Sequence, residues 1–401
     1  MKVVVAPDKF KGSLSAPEAA RAIARGVASV VPRAEIDPAP MADGGEGTVE
    51  ALVAATGGSF REAVVTGPLG EPIRASFGML GDGRTAVVEM AAASGLVLVP
   101  RDRRDPWRAT TRGTGELLLA ALDAGARRVI VGIGGSATND GGAGLGQALG
   151  YRLLDASGRD LGPGGGALGS LDRIDPGGRD PRLDGVEVAI ACDVDNPLCG
   201  PRGASAVYGP QKGATPELVV ALDRNLDHFA RIIARDLGPA IRDLAGAGAA
   251  GGLGGGLVAF ASGRLEPGVA LVIDAVDLAR RLEDADLCLT GEGAIDASSA
   301  FGKTAVGVAR LARGLGCPTI ALAGTIGPGA EAVLAEGISA YFSLCPGPIA
   351  LDEAIARGAE LLENVAAQVV RAFLAGGGDE DSPQRHKGHK DRHKEAGSQE
   401  D

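Results

Sequence analysis

The stretch Val129–Gly146, VIVGIGGSATNDGGAGLG, constrains the fold more than any other. Its β-branched residues run straight into a loop carrying Gly132, Gly134, Gly135, Gly141, Gly142, Gly144 and Gly146. That pattern predicts a buried strand ending in a polar turn. Glycine lets backbone N–H groups approach an anion closely, and Ser136, Thr138, Asn139 and Asp140 add short polar side chains suited to phosphate oxygens or a cation. The alternative reading of this loop is a tight strand-to-helix connection with no ligand.

The pattern recurs along the chain. Lys2–Ala6 is a short apolar strand that runs into PDKFKGSL and then a helix from about Ala16 to Val31, opened by the capping box of Ser15 and Glu18. Asp8, Lys9, Lys11 and Ser13 fall at the carboxyl end of this strand, where open α/β sheets hold their ligands. A second glycine loop, Asp43–Thr48, opens the helix TVEALVAAT and carries Asp43 and Glu46, which either cap the helix or hold a divalent cation. The runs REAVVTGP, PIRASFGML and TAVVEMA predict antiparallel strands, and the change of texture near Gly57–Arg61 predicts a domain boundary. Arg112 and Thr114 come next, just before the helix GELLLAALDAG, in a position to face an anion.

Residues Tyr151–Asp184 predict irregular structure or a hairpin with a long loop. The strand VEVAIACDV then delivers Asp193 and Asn196, and Lys212 follows between glycines. Helices are expected at Pro216–Leu237 and Pro239–Ala245, and the tract AGAGAAGGLGGGLVAFA serves either as a linker or as a close-packed backbone. Val269–Ala275, Asp286–Thr290, Thr319–Gly324 and Tyr341–Leu344 predict strands, ahead of a long final helix over Leu351–Leu374. The loop in DADLCLTGEGAIDASSAFGKTAVGVARLAR holds Glu292, Asp296, Ser298, Ser299 and Lys303. This alternation predicts an α/β fold with a mostly parallel sheet. With 3% aromatic residues beside 64 glycines, its core is built from Val, Leu, Ile and Ala.

At 401 residues and 45% hydrophobic content the chain is long enough for two cored domains. No apolar run approaches the roughly 20 residues of a bilayer span, and Asp8 interrupts the N-terminus where a signal peptide stays apolar, so a cytoplasmic protein is expected. Five scattered cysteines without C-x-x-C spacing indicate neither a disulfide framework nor a zinc site. A net charge of −11 argues against nucleic acid as the main partner, and a small anionic substrate then needs locally placed lysines or arginines. The charged tail 378–401, with His386, His389 and His393, is expected to be disordered.

Two short motifs compete. Gly302, Lys303 and Thr304 match the end of a P-loop, but its first glycine position is Ala297. Gly132, Gly134 and Ala137 fit a dinucleotide fingerprint, with Asp155 at the distance of a ribose contact. The first strand lacks such glycines, however, and His228 is the lone histidine ahead of the tail, in the helical pattern ALDRNLDHFARII. An NAD(P)-dependent dehydrogenase of a small 2-hydroxy acid is therefore the alternative function.

The blocks APDKFKGSLSA, PMADGGEGT, GIGGSATNDGG, CDVDNPLCGPRGASAVYGPQKGA, GAAGGLGGG and LTGEGAIDASSAFGKTAVGVA, in this order, resemble the type I family of bacterial glycerate kinases, over about Met1 to Leu374. One departure is local: the family reads D-x-Q-S where this chain has Asp296 followed by A-S-S. The resemblance implies ATP-dependent phosphorylation of D-glycerate with Mg²⁺. It also implies a Rossmann-like domain (1–60 and 268–377) with an inserted second α/β domain (61–267) and an active site in the cleft between them. Phosphoryl transfer needs anion cradles, carboxylates for a cation and a carboxylate near the attacking hydroxyl. On that basis Gly134, Gly135, Ser136, Asn139, Asp140, Lys212, Glu292 and Lys303 are expected at the nucleotide, and Asp43, Glu46 or Asp296 at the metal. Asp193 is the expected base, acting with Lys11 and Lys303. Lys9, Lys11, Ser13, Arg112 and Asn196 are expected at glycerate, in a monomer or homodimer, with the 2-phosphate favoured over the 3-phosphate.

Overall fold

The structure, a computed structural model, describes residues 1–376, so the tail 378–401 and its histidines lie outside the described residues. In chain order the strands are β1 (Lys2–Pro7), β2 (Glu35–Pro38), β3 (Ser59–Thr66), β4 (Pro72–Met79), β5 (Thr85–Glu89), β6 (Arg128–Gly132) and β7 (Arg152–Leu154). They continue as β8 (Arg173–Asp175), β9 (Glu187–Ala191), β10 (Arg264–Glu266), β11 (Leu287–Ile295), β12 (Thr319–Ile326) and β13 (Ile338–Ser343). One sheet runs β13-β12-β11-β1-β2 and is parallel throughout. A second runs β10-β9-β6-β5-β4-β3, parallel from β10 to β5 and antiparallel through β4 and β3. β7 and β8 form a separate antiparallel hairpin with a long loop.

Val3, Val4 and Val5 are all fully buried, as the continuous apolar run of a central parallel strand requires. Val3 and Val5 pack with Ile23 of the helix Ala16–Val30 and with Leu362 and Val370 of the helix Gly358–Gly376. Val4 and Ala6 point the other way, toward Val308 of the helix Thr304–Gly314 and Leu271. The helix after β1 and the helix after β11 thus cover opposite faces of the sheet. β1 leads to β2 on one side and β11 leads to β12 on the other, so the strand order reverses between β1 and β11. A crevice opens at such a switch point, outside the carboxyl ends of the strands.

The apolar layer containing Val4 and Ala6 also takes in Val87, Ile130 and Ala189 of the second sheet. The Asp43–Gly45 loop completes the junction. Gly44 has φ +86°, and a Cβ there would sit 2.5 Å from the Ala191 Cβ; a Cβ on Gly132 would sit 2.5 Å from the Gly44 carbonyl oxygen. Only glycine at both positions lets the backbone after β2 lie on the ends of β6 and β9.

Three expected elements differ. Val269–Ala275 is not a strand but part of a helix, Gly268–Ala275. Its apolar run is buried against the layer between the sheets, and its first N–H is capped from a distance by Asp193 Oδ1 at 2.9 Å. Residues 239–245 form no helix. Their backbone is tied elsewhere, with the Arg242 carbonyl accepting from Leu198 N at 3.0 Å. The final helix breaks into Leu351–Ala356 and Gly358–Gly376. Ser13 Oγ donates to the Ile355 carbonyl at 2.7 Å, and a side chain at 358 would collide with that hydroxyl.

Candidate active site

Three cavities open where the carboxyl ends of β1 and β11 face those of β6 and β9, and Asp43 borders all of them. The largest, about 740 Å³, is lined by Asp8, Asp193, Glu292, Lys303 and Thr304. The second, about 430 Å³, lies along Gly134, Gly135 and Ser136 and shares Asp193. The third, about 610 Å³, is bordered by Lys9, Lys11, Ser13 and Glu46.

Each lining residue is held by its strand end. Asp8, immediately after β1, is buried; its Oδ2 accepts from Thr304 Oγ1 at 2.6 Å and its Oδ1 from Lys9 N at 2.6 Å. Burial pushes its carboxyl above the usual range against these two bonds, and the nearby Asp43 adds to the rise. Glu292, within β11, is pushed up to about 7, first by burial; the Lys303 ammonium pulls the other way, while Asp8, Asp296 and Asp43 add to the rise. Its Oε1 is buried without a hydrogen-bond partner among the described residues. Lys303 N-caps the helix Thr304–Gly314, with Nζ 3.8 Å from Glu292 Oε2 and 3.7 Å from Asp296 Oδ1. The free N–H groups of that helix start and the ammonium together make a cationic corner. Asp193 follows β9, and its carboxyl is raised by partial burial, opposed by the bond from Gly268 N and reinforced by Asp43. Lys9 Nζ bridges two loops, donating to the Glu46 carbonyl at 2.5 Å and lying 3.8 Å from Asp43 Oδ1.

Several expected site residues stand elsewhere. Arg112 lines a separate cavity beside Tyr151 and Arg152 and pairs with Glu116 at 3.0 Å, so it does not join the cleft. Asn196 binds Tyr208 Oη and the Arg202 carbonyl, orienting its own loop rather than Asp193. Asp140 and Asn139 are buried beneath the glycine loop. Asp140 accepts from Thr111 N and Oγ1, Gly142 N and Gly144 N, and Asn139 Nδ2 donates to Ser205 Oγ. Lys212 is likewise buried behind the loop. Asp296 is engaged by Ser298, whose N and Oγ donate at 2.8 and 2.5 Å. Ser13 borders the third cavity with its hydroxyl committed to Ile355. Asp43 and Glu46 border the third cavity together while Asp296 lines none of the three, and among the described residues no three His, Cys, Asp or Glu side chains form a ready-made metal site.

Two residues that frame the largest cavity, Asp8 and Thr304, carry no role in the kinase assignment made from sequence, where Asp8 is only a strand-end candidate and Thr304 only the end of an incomplete P-loop match. The available signals were a carboxylate directly after an apolar strand and a hydroxyl completing Gly302-Lys303. Neither discloses that the two meet across the switch point.

The sequence profile of the glycerate kinase family matches residues 3–374. The chain belongs to the glycerate kinase family. It is 57% identical over 373 residues to a glycerate kinase of Bacillus subtilis (strain 168), covering 93% of this chain and 98% of that protein. It is 51% identical over 377 residues to the glycerate 2-kinase of Escherichia coli (strain K12), covering 94% and 98%. A crystal structure described as glycerate kinase 2 from Salmonella typhimurium LT2 superposes with a TM-score of 0.87 at 49% identity, over 94% of this chain and 99% of that one. The α/β architecture is therefore that of the family, and a kinase of this family uses ATP as co-substrate. Among the described residues no helix is long and apolar enough to cross a membrane.

Proposed function

We propose that this protein transfers the γ-phosphoryl group of ATP to the 2-hydroxyl of D-glycerate, giving 2-phosphoglycerate and ADP in the cytoplasm. The observation that carries this reading is the meeting at Asp43 of three strand-end cavities, each with charged side chains in its lining. A long polyanion and a three-carbon acid need such a branched crevice, with cations on separate arms. We take residues 1–60 with 268–377 and residues 61–267 as two domains that hold these arms. The preference for the 2-position draws on the name of the Escherichia coli relative.

In this scheme the glycerate hydroxyl attacks the γ-phosphorus and the bond to the β-phosphate oxygen breaks, leaving ADP. Asp193, raised in pKa and bordering two of the cavities, takes the hydroxyl proton. Lys303 and the start of the helix Thr304–Gly314 hold phosphate oxygens, as does the backbone of Gly134–Ser136. Lys11, exposed at the rim, and Lys9 neutralise the glycerate carboxylate. The excess of carboxylates around Lys303 and the unpartnered Glu292 Oε1 fit a site that also takes Mg²⁺. Mg²⁺ binds through one or two carboxylates plus substrate phosphates, and Asp43 with Glu292 would supply them. When bound, the ion neutralises charge developing on the phosphates.

A dehydrogenase reading lacks comparable support. His228 Nε2 lies 2.7 Å from the Leu171 carbonyl and borders none of the three cavities. A coupled ADP-release assay with D-glycerate and ATP tests the reaction, and phosphorus NMR of the product tests the position. Absence of ADP formation, or a 3-phosphate product, defeats the corresponding part.

A further inference from the structure

Lys212 is among the largest side chains to be fully buried, 1% exposed, on the short turn Pro210–Lys212 behind the Gly134–Asp140 loop. Its Nζ donates to Ser136 Oγ and to the Thr138 carbonyl, both at 2.7 Å. Among the described residues it forms no ion pair. The carboxylate that acts on it, Asp140, is already saturated by Thr111, Gly142 and Gly144. A buried amine without its own carboxylate is costly unless something nearby benefits from a donor or a positive charge. Ser136 is what stands between this amine and the cavity that Gly134, Gly135 and Tyr208 line. Because Ser136 Oγ accepts from Lys212, its own proton must point to another acceptor. The loop cannot swing to present a different face, since Leu96 N donates to the Gly135 carbonyl and Ala137 N to the Ser94 carbonyl, at 2.8 and 2.9 Å.

We infer that Lys212 is a positioning residue acting from beneath the loop, and that it aims the Ser136 hydroxyl at an anionic oxygen bound in the Gly134–Ser136 cavity. The oxygen belongs either to the carboxylate of the acid substrate or to a nucleotide phosphate. The assignment rests on the kinase reading for the identity of those ligands, but not for the anion contact itself.

The test uses full-length Ser136→Ala, Lys212→Met and the double variant, with KM measured separately for D-glycerate and ATP. Ser136→Ala raises one of the two KM values about tenfold or more, the scale of a hydrogen bond to a charged group. Lys212→Met raises the same KM, leaves the other within about twofold, and adds little in the Ser136→Ala background, as coupled residues do. A rise for D-glycerate assigns the carboxylate, and a rise for ATP assigns the phosphate. The inference is overturned if Ser136→Ala moves neither KM, or if Lys212→Met shifts both equally and additively. Should Lys212→Met not fold, Lys212→Gln, which keeps an N–H donor, is read instead: both KM values within about twofold of wild type keep the donor role, and both raised equally overturn it. If the wild type turns over nothing, calorimetry with D-glycerate and with ADP separates the questions. Weaker binding of either by Ser136→Ala keeps the anion contact, and unchanged affinity for both removes it.

Discussion

The loops after β6 and after β11 read alike in sequence, each an apolar strand entering glycines, acids and a helix, yet the structure gives them opposite interiors. Beneath the first, Asp140 is buried and saturated by backbone and hydroxyl donors, and Lys212 is buried with it. In the second, Lys303 stands at the rim with its nearest carboxylates 3.7 and 3.8 Å away, and one of these, Glu292, which lies within β11 just ahead of the loop, keeps an unpartnered buried oxygen. Burial raises the carboxyl in both cases. What separates them is whether donors are already in place. A satisfied acid fixes a scaffold, whereas an unsatisfied one is available to substrate, proton or cation.

Asp193 borders the cavities of both loops, and its replacement should have the largest effect. Asp193→Asn is expected to lower kcat by about a hundredfold or more with D-glycerate and ATP, the scale of a general base. Retention of most of kcat would move the proton acceptor to the β11 side. Asp140→Ala should act on stability instead, costing on the order of 3 kcal/mol by urea unfolding, because several buried donors lose their acceptor. A variant that melts normally but binds ATP poorly would break the contrast.

Glu292→Gln should separate the loops by pH. The folded carboxyl, at about 7, lies above its unfolded value, so its protonated form contributes stability that is complete below the unfolded pKa and lost as pH rises through 7. The Gln variant is therefore expected to be more stable than wild type at pH 8 and to lose that advantage near pH 4 in urea titrations. A constant difference across that range would mean Glu292 does not titrate there. The smallest effect belongs to Arg112, whose exposed pairing with Glu116 follows the i,i+4 pattern. Arg112→Ala should leave both KM values within about twofold and stability within about 0.5 kcal/mol. A selective rise in the glycerate KM would return this residue to the site.

Local chemistry made much of the fold legible. The capping box of Ser15 and Glu18 opens the first helix where expected, and the helix Thr48–Thr56 begins and ends as its sequence indicates. Apolar runs located β1, β9, β11 and β12. Val269–Ala275 is helical where its pattern predicts a strand, because a short run apolar on all sides suits a buried strand or a buried helix equally, and its cap, Asp193, is remote in sequence. In the site, strand ends pointed to Lys9, Lys11, Asp43, Asp193, Glu292 and Lys303, all of which line the three cavities. Lys212 and Arg112 carry the same charge and each directly precedes a glycine, but one is turned inward and the other faces a different cavity.

By itself the sequence determined which segments become strands, which turns need glycine, and where charged side chains follow a strand, because these depend on nearest neighbours and on period. Only the tertiary structure decided that β1 lies beside β11, that Asp8 meets Thr304 across their switch point, and that Asp140 rather than Glu292 is satisfied. Those outcomes depend on which donors distant parts of the chain bring to each buried group, and no local pattern encodes them.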